Sequence, residues 1–316
     1  MSDFEDETVH EPVLAAEVVE LLAPAPGETF VDATVGGGGH AALLLERLGD
    51  NGFLLGLDRD GDAIARCRAR LGAARGERCR FVQGPFSRVA EMVRRQGLAA
   101  VDGVLMDIGM SSDQLRDSGR GMSFLVDGPL DMRMDRAGGP TAADLVNGLP
   151  EERLRDILMR FGEERRARRI AAAIAARREE HPFATTADLA AVVERATGGR
   201  RGRIHPATRV FQALRIAVND ELDELAAGLS GALSVLRVDG RMGVISFHSL
   251  EDRIVKRFFA AHTPREVALA GGGTQRVGEA PPVERVNRKP VTASAAERER
   301  NPRSRSARLR VVRRTG

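Results

Sequence analysis

The chain of 316 residues contains no tryptophan and no tyrosine, and its only cysteines are Cys67 and Cys79. The two cysteines form no C-x-x-C pair and have no histidines at metal-ligand spacing. The sequence therefore argues against a zinc site and predicts two buried thiols. Without Trp and Tyr, phenylalanine and arginine are the side chains left to stack on an unpaired nucleobase.

Long apolar runs are also missing. No uninterrupted apolar stretch reaches the roughly 20 residues that span a bilayer. Residues 1–7 are acidic and lack the basic-then-apolar order of a signal peptide. We therefore expect a cytoplasmic protein without membrane contact. Hydrophobic residues make up 42% of the chain and charged residues 29%, as in ordinary globular proteins.

Charge is spread unevenly along the chain. The net charge is only +3, but residues 285–314 carry 11 Lys or Arg against 2 Glu, so the rest of the chain is acidic on balance. A basic tail on a mildly acidic body favours a polyanionic partner, and a merely solvated tail is the alternative. Within the tail, Arg303, Arg305 and Arg308 are the candidates for contacts with such a partner.

The first third of the chain alternates between apolar strands and helical segments, which indicates a parallel sheet with right-handed crossovers. The predicted strands cover residues 29–34, 53–58, 79–84 and 101–108. The predicted helices cover residues 13–22, 40–48, 61–71 and 86–96. Near the end of the chain, the sequence predicts a long helix at 207–236, a fifth buried strand at 241–247, and a last strand at 306–312 that pairs with 283–292.

A different pattern interrupts this alternation. Residues 117–140 predict an irregular loop in which Asp131, Arg133 and Asp135 form either an ion-paired turn or a lid, and residues 141–197 show only helical periodicity. We therefore expect an α/β fold with an inserted helical domain. Its parts are a first sheet segment at 8–116, an insertion at 117–204 and a second sheet segment at 205–316 with the basic tail. Residues 265–284 are rich in Gly and Pro and are expected to be mobile.

Predicted strand ends carry residues that suit a nucleoside-containing cofactor. Residues 35–40, Val-Gly-Gly-Gly-Gly-His, follow the first strand, where glycines allow the backbone to approach a ligand closely. Asp58 ends the second strand, at the position of an acid that binds ribose hydroxyls. Because Gly36, Gly38 and Ala41 also fit the loose dinucleotide fingerprint, this pattern alone leaves both a nicotinamide dinucleotide and S-adenosylmethionine open.

Three features favour S-adenosylmethionine. Asp32 lies in the strand-turn segment, as in the D-x-x-x-G start of many methyltransferases. Asp107 ends the fourth strand at the same edge of the sheet, where it would bind the cofactor's amino group or the amine of a substrate base. The basic tail indicates that the substrate is a polyanion.

Motifs in the same order along nearly the whole chain resemble those of the MraW/RsmH family, the bacterial small-subunit ribosomal RNA methyltransferases that methylate cytosine N4. They lie at residues 10–14, 38–40, 58–60, 84–86, 107–114, 127–135, 162–165, 205–209, 245–253 and 301–307. The resemblance implies a Rossmann-like class I methyltransferase sheet with an inserted helical domain and S-adenosylmethionine as the cofactor. It also implies that the substrate is a decoding-region cytidine of small-subunit (16S) ribosomal RNA, free or in the subunit. The oligomeric state is left open, a homodimer included.

The resemblance also assigns cofactor contacts by position. They fall on Gly38, Gly39, His40, Asp58, Phe86, Asp107 and Gln114. Phe86 and Gln114 rest on the resemblance alone. The sequence departs from many relatives at residues 34–39, where they have a bulkier or charged residue among the glycines.

Catalytic residues are harder to assign. A cytosine amino group is a poor nucleophile, so the enzyme must align it with the methyl donor and accept a proton. The Asn/Asp-Pro-Pro-aromatic motif of many amino-methyltransferases is absent here, so its mechanism does not transfer. Asp107, Ser111 and Ser112 are candidates for holding the amine. His248 is a candidate for orienting the base or taking the proton, and a structural loop histidine is the alternative.

Transfer to carbon 5 of cytosine is the alternative chemistry. It usually needs a cysteine nucleophile, and the sequence places both cysteines away from the strand ends that build the pocket.

Further RNA contacts are expected from the inserted segment and the helix that follows. Arg200, Arg201 and Arg203 have no neighbouring acids. Arg215 and Asn219 share one helical face, which is either a substrate-facing row or a solvated side. Two other function classes stay open: a nicotinamide-dependent oxidoreductase, and an RNA-binding assembly factor with a vestigial cofactor site.

Overall fold

The computed structural model describes residues 12–110, 117–199, 205–268 and 274–316. The chain divides into two compact units, a sheet unit of Met1–Gly109 and Leu222–Gly316 and a helical unit of Met110–Glu221. The insertion thus runs from 110 to 221, whereas the sequence placed it at 117–204. The physical reason is that residues 207–214 contribute Ala207, Val210, Phe211 and Leu214 to the apolar core of the helical unit.

Among the described residues of the sheet unit, seven strands, with the ranges given next, form one sheet in the spatial order β3-β2-β1-β4-β5-β9-β8. The strands are β1 (Thr29–Asp32), β2 (Phe53–Asp58), β3 (Cys79–Gln83), β4 (Val101–Asp107), β5 (Leu236–Ser246), β8 (Val283–Arg285) and β9 (Arg308–Arg314). Strands β1 to β5 run parallel to one another, and β9 runs antiparallel to both β5 and β8. This sheet order confirms the expected Rossmann-like class I methyltransferase fold. The order reverses between β1 and β4, so a ligand crevice is expected outside their carboxyl ends.

Some helices connect the strands of the sheet, and others form the helical unit. In chain order they are α1 (Ala15–Leu22), α2 (Gly39–Leu48), α3 (Gly61–Cys67), α4 (Val89–Arg95), α5 (Ala142–Gly148), α6 (Glu151–Gly162), α7 (Ala167–Glu180), α8 (Thr186–Thr197), α9 (Ala207–Asn219), α10 (Glu221–Val235), α11 (Ser249–His262) and α12 (Ala295–Arg300). Shorter helical turns lie at Arg68–Gly72, Ala73–Arg75, Phe86–Arg88 and Pro302–Ser306. Within the described residues, no helix combines the length and the apolar character that crossing a bilayer requires.

The sheet is buried on both faces. Helices α1, α2 and α3 cover one face, where Leu44 of α2 and Leu54 of β2 belong to the same apolar cluster. Helices α4, α10 and α11 cover the other, where Leu229 and Phe259 share a cluster with Leu55. Leu54 and Leu55 are neighbours in the chain and point to opposite faces. A parallel strand covered on both sides therefore appears in the sequence as a continuous apolar run.

The observed elements correct several predicted boundaries. The predicted strand 53–58 is confirmed as β2, and the predicted last strand is confirmed as β9, which pairs with β8 and bridges to Val291. The fifth strand starts earlier than predicted, at Leu236. Within 265–284, strands β6 (Arg265–Ala268) and β7 (Thr274–Val277) form an antiparallel pair.

The predicted helix 207–236 is two helices. Helix α9 ends at Asn219 and α10 begins at Glu221, and Asp220 between them has a left-handed conformation with φ of 51°. Asn and Asp visit this conformation more readily than other residues with a side chain. Because a one-residue break barely disturbs the 3.6-residue periodicity, the apolar pattern continued through it.

Candidate active site

The glycine-rich turn after β1 is the first component of the site. Gly36 and Gly38 have φ of 49° and 77°, a region that glycine enters without steric cost. A Cβ at Gly38 would lie 2.9 Å from Arg70 Nη2 and 3.0 Å from Cys67 Sγ, so a side chain there would have to displace these neighbours as well as strain the backbone. At Gly37, no described atom lies within 4 Å of a Cβ position. The turn is thus packed on one side and leaves backbone open on the other.

Asp58 holds this turn from the end of β2. Its Oδ2 accepts a hydrogen bond from the Gly36 N–H at 2.8 Å, and its Oδ1 accepts one from the Asp60 N–H at 2.9 Å. Burial raises the pKa of Asp58 to about 6, although these two hydrogen bonds act to lower it. The acid therefore lies beside the glycine turn, where the sequence placed a ribose-binding carboxylate.

Asp32 and His40 bring unpaired polar atoms to the same place. Asp32 is 1% exposed; its Oδ1 accepts from the Thr34 N–H at 3.2 Å, but no described group bonds its buried Oδ2. Burial raises the pKa of Asp32 to about 7, and the neighbouring His40 acts in the opposite direction. His40 is 6% exposed, and both of its ring nitrogens are buried without a hydrogen bond among the described residues. Buried polar atoms left this way are the exception in proteins and suit a polar ligand.

Asp107 closes the group from β4, the neighbour of β1 in the sheet. Its backbone N–H donates to Thr34 Oγ1 at 2.7 Å, its Oδ1 accepts from the Gly109 N–H at 3.3 Å, and its Oδ2 lies 3.6 Å from His40 Nε2. Thr34 was not singled out from the sequence. Its role depends on a contact between segments 73 residues apart, which no local pattern signals. The structure thus brings the glycine turn, His40, Asp58 and Asp107 together at the carboxyl ends of β1, β2 and β4.

Phe86 lies just beyond the next strand, in the helical turn after β3. The Gly84 N–H preceding it donates to the Asp58 carbonyl at 2.8 Å, which ties this turn to the end of β2. The Phe86 ring packs on α10 at Gly228, where a Cβ would lie 2.5 Å from the ring. The ring is only partly buried. Phe86 therefore stands at the same edge of the sheet as the carboxylates.

Six predicted site residues lie outside the described part of the chain. They are Ser111, Ser112, Gln114, Arg200, Arg201 and Arg203. Their proposed roles stay predictions.

His248 caps helix α11. Its Nδ1 accepts from the Glu251 N–H at 3.4 Å, and Glu251 Oε2 accepts from the His248 N–H at 3.1 Å and the Phe247 N–H at 2.7 Å. The remaining ring nitrogen, Nε2, lies 2.9 Å from Glu251 Oε1. These contacts form a capping box, and the spacing of Glu251 three residues after its cap was a signal available in the sequence. The structural alternative for His248 is therefore observed, and a catalytic role stays a prediction.

Two predicted RNA contacts in the helical unit are engaged elsewhere. Asn219 is 3% exposed; its Nδ2 donates to the Met132 and Arg215 carbonyls, and its Oδ1 accepts from the Met134 N–H. Arg215 forms a two-pronged ion pair with Glu221 at 2.7 and 2.8 Å, and its side chain is 12% exposed. The prediction that these residues form an accessible row is wrong, because both are used inside the fold. Next to them, Arg133 pairs with Asp131, which confirms the ion-paired turn.

The end of the basic tail forms a strand of the sheet, β9. Strand β9 lies between β5 and β8, and its Leu309, Val311 and Val312 are buried, so the solvated-tail alternative is wrong. Arg308 Nη1 lies 3.0 Å from Asp252 Oδ2, and the side chain is half exposed. Arg305 is exposed and Arg303 is half-buried. Contacts of Arg303, Arg305 and Arg308 with RNA stay predictions, with Arg308 already held by a carboxylate.

Cys67 lies closer to the site than predicted. Its Sγ donates to the Gly36 carbonyl at 3.4 Å, so the prediction that both cysteines avoid the pocket is wrong for Cys67. Burial raises the pKa of Cys67 to about 12, which disfavours the thiolate that a nucleophilic cysteine needs. Both cysteines are buried free thiols, as the sequence predicted.

Comparison with known protein sequences identifies the family of the chain. Residues 7–315 match the model of the MraW methylase family. The protein from Magnetococcus marinus that is named ribosomal RNA small subunit methyltransferase H is 50% identical to this chain, over 96% of this chain and 97% of that protein. The protein of that name from Geotalea uraniireducens is also 50% identical, over 99% of both chains. The chain therefore belongs to the MraW methylase family, as its motifs indicated, and S-adenosylmethionine is its cofactor.

Proposed function

We propose that this chain methylates N4 of a decoding-region cytidine in small-subunit ribosomal RNA. The observation that carries the proposal is the convergence of the glycine turn, Asp58, His40 and Asp107 at one sheet edge, in a chain that matches small-subunit ribosomal RNA methyltransferases along nearly its whole length. A vestigial site in an assembly factor would not be expected to keep buried, unpaired polar atoms at Asp32 and His40.

The residues of the site have separate tasks in this proposal. When bound, the cofactor supplies a methyl group on a positively charged sulfur. Asp58 holds the ribose hydroxyls, because each of its oxygens accepts one backbone hydrogen bond and keeps capacity for another. Asp32 offers its unpaired oxygen to a cationic group of the ligand. The glycine turn lets the backbone approach without a side chain in between.

Asp107 and His40 serve the amine of the substrate. Asp107 accepts a hydrogen bond from the cytosine amino group and so directs its lone pair. The proton released during transfer goes to Asp107, and His40 Nε2, 3.6 Å from Asp107 Oδ2, is placed to receive it next. His248 contributes by fixing the start of α11 beside this edge.

The product of the reaction tests the proposal. Small ribosomal subunits from a strain that lacks this protein are incubated with the enzyme and labelled cofactor, and the RNA is digested to nucleosides. We expect labelled N4-methylcytidine. Label in 5-methylcytidine would overturn the assignment of the amine, and unlabelled RNA would favour the assembly factor. Protein-free ribosomal RNA, tested in parallel, shows whether the assembled subunit is required.

A further inference from the structure

Helix α11 presents a row of positive charge to solvent. Its apolar side, with Val255 and Phe259, is buried against the sheet. On the other side, Arg253, Lys256 and Arg257 are exposed. Spacings of three and four residues place them on one helical face. We call these three residues the basic row.

The first-turn acids of the same helix are engaged in other contacts, and Arg253 also has a polar partner, so the charge offered to a ligand is that of Lys256 and Arg257. Glu251 is 2% exposed and is used in the helix cap. Asp252 is 8% exposed and is held by two arginines of β9, with Arg310 Nε at 2.7 Å and Arg308 Nη1 at 3.0 Å. Both first-turn acids are thus engaged, Glu251 in the cap and Asp252 with Arg308 and Arg310. Glu279 is a further acid near this helix, but it lies 3.5 Å from His262 Nε2, at the end of the helix away from the cap.

The basic row starts at the edge of the sheet that carries the candidate site. Helix α11 begins directly after β5, the neighbour of β4, and the Ile108 N–H donates to the Ile245 carbonyl at 3.1 Å. The Phe247 ring packs so closely on Gly109 that a Cβ there would lie 2.4 Å away. At a rise of about 1.5 Å per residue, the row extends from roughly 8 to 14 Å beyond the cap residue. A strand whose target base reaches Asp107 would pass near this helix.

We propose that the basic row binds phosphates of the ribosomal RNA next to the target cytidine. The inference rests on the proposed function and adds an RNA surface to it. Exposed Lys and Arg contact the RNA backbone without reading sequence, so they position the strand and make affinity depend on salt. The alternative occupant is an acidic surface of a ribosomal protein.

The test replaces the two residues of the row that lie farthest from the helix cap, Lys256 and Arg257. Lys256→Ala with Arg257→Ala is compared with Arg75→Ala with Arg94→Ala, a matched pair of exposed arginines beside β3, at the opposite end of the sheet order. Binding of protein-free small-subunit ribosomal RNA is measured over a range of salt concentrations, together with KM and kcat on small subunits and cofactor affinity.

We expect the row variant to lose roughly 0.7 in the slope of log K against log salt for each lost phosphate contact. Its KM for subunits should rise several-fold while kcat and cofactor affinity stay the same, and the control pair should match the wild type. A wild-type slope and KM in the row variant would overturn the inference while leaving the proposed function standing. Higher KM on subunits with unchanged binding of protein-free RNA would overturn it in favour of a ribosomal protein. If the wild type fails to methylate ribosomal RNA, it is the proposed function that fails.

Discussion

At the scale of single residues, the buried carboxyl of Asp32 couples the site to pH. Its pKa is raised by burial from 3.8 to about 7, so the folded protein holds a proton there that the unfolded chain has released. The stability from this proton is complete below pH 4 and is lost as the pH rises through 7.

Replacing Asp32 with Asn should remove this loss. Between pH 4 and pH 7 the cofactor-free Asp32→Asn variant should gain stability relative to the wild type, by an amount on the order of a few kcal/mol. Urea unfolding at several pH values measures the difference, and other carboxyls cancel in the comparison. Parallel pH profiles for the two proteins would contradict the expectation.

Asp107 and Asp58 should separate turnover from cofactor binding. Asp107→Asn keeps the shape but removes the negative acceptor, so methyl transfer should fall by roughly 10²–10⁴ with a much smaller change in cofactor affinity. Asp58→Ala should lower cofactor affinity by about tenfold or more, since a hydrogen bond to a charged group contributes about 1.5–3 kcal/mol. Titration calorimetry and single-turnover rates distinguish the two. Equal losses of affinity in both variants would argue against the separate tasks.

His248 allows the cap to be tested apart from the chemistry. His248→Ala should lower the unfolding free energy by about 1 kcal/mol, because Ala does not cap a helix. Asn is a good cap residue, and we expect His248→Asn to restore both stability and turnover. Thermal unfolding and the methylation assay are measured on the same samples. If Asn restores stability but turnover stays low, the histidine acts in the reaction itself.

At the scale of elements, Asn219 links the end of α9 to the irregular loop 117–140. Its side chain bonds the Met132 carbonyl and the Met134 N–H, and Met132 itself has φ of 64°. Asn219→Ala removes this partner from the buried Met132 carbonyl, which costs about 1–3 kcal/mol, and from the partly buried Met134 N–H. Hydrogen exchange should therefore show faster opening around Met134, with cofactor affinity unchanged. Wild-type protection there would mean that the loop is held by other contacts.

Elements were predictable where one physical rule dominated. Strands β2 and β4 are largely apolar because both faces of the sheet are covered, and the sequence placed each of β1 to β4 to within two residues. The glycine turn and Asp58 followed from the same strand ends. The break at Asp220, the role of Thr34 and the anchoring of Asn219 depend on a single backbone conformation or on contacts between distant segments. Local periodicity carries no trace of such features.

At the scale of the whole molecule, the sequence predicted the last strand, but the charge count treated residues 285–314 as one basic tail and so kept a solvated tail as an alternative. In β9, Arg308 and Arg310 are interleaved with Leu309 and Val311, which are buried in the sheet. Composition alone records the arginines, whereas the strand period places Leu309 and Val311, which alternate with them, in the core.

Removal of residues 308–316 should therefore do more than weaken RNA binding. It deletes the strand between β5 and β8 and exposes one long edge of β5. We expect the truncated protein to lose cooperative unfolding and cofactor affinity together. As a control, Arg305→Ala changes an exposed charge and should leave both intact. A truncated protein with normal cofactor affinity would show that β9 is dispensable for the site.

The position of β9 also has a consequence for biosynthesis. The helical unit is continuous in sequence and leaves the ribosome whole, whereas the sheet waits for β5 and β9, which are translated after it. Until then β4 has no partner on one side, and an unpaired strand edge invites aggregation. A nascent chain of this protein would be most dependent on chaperones while residues 222–314 are being made.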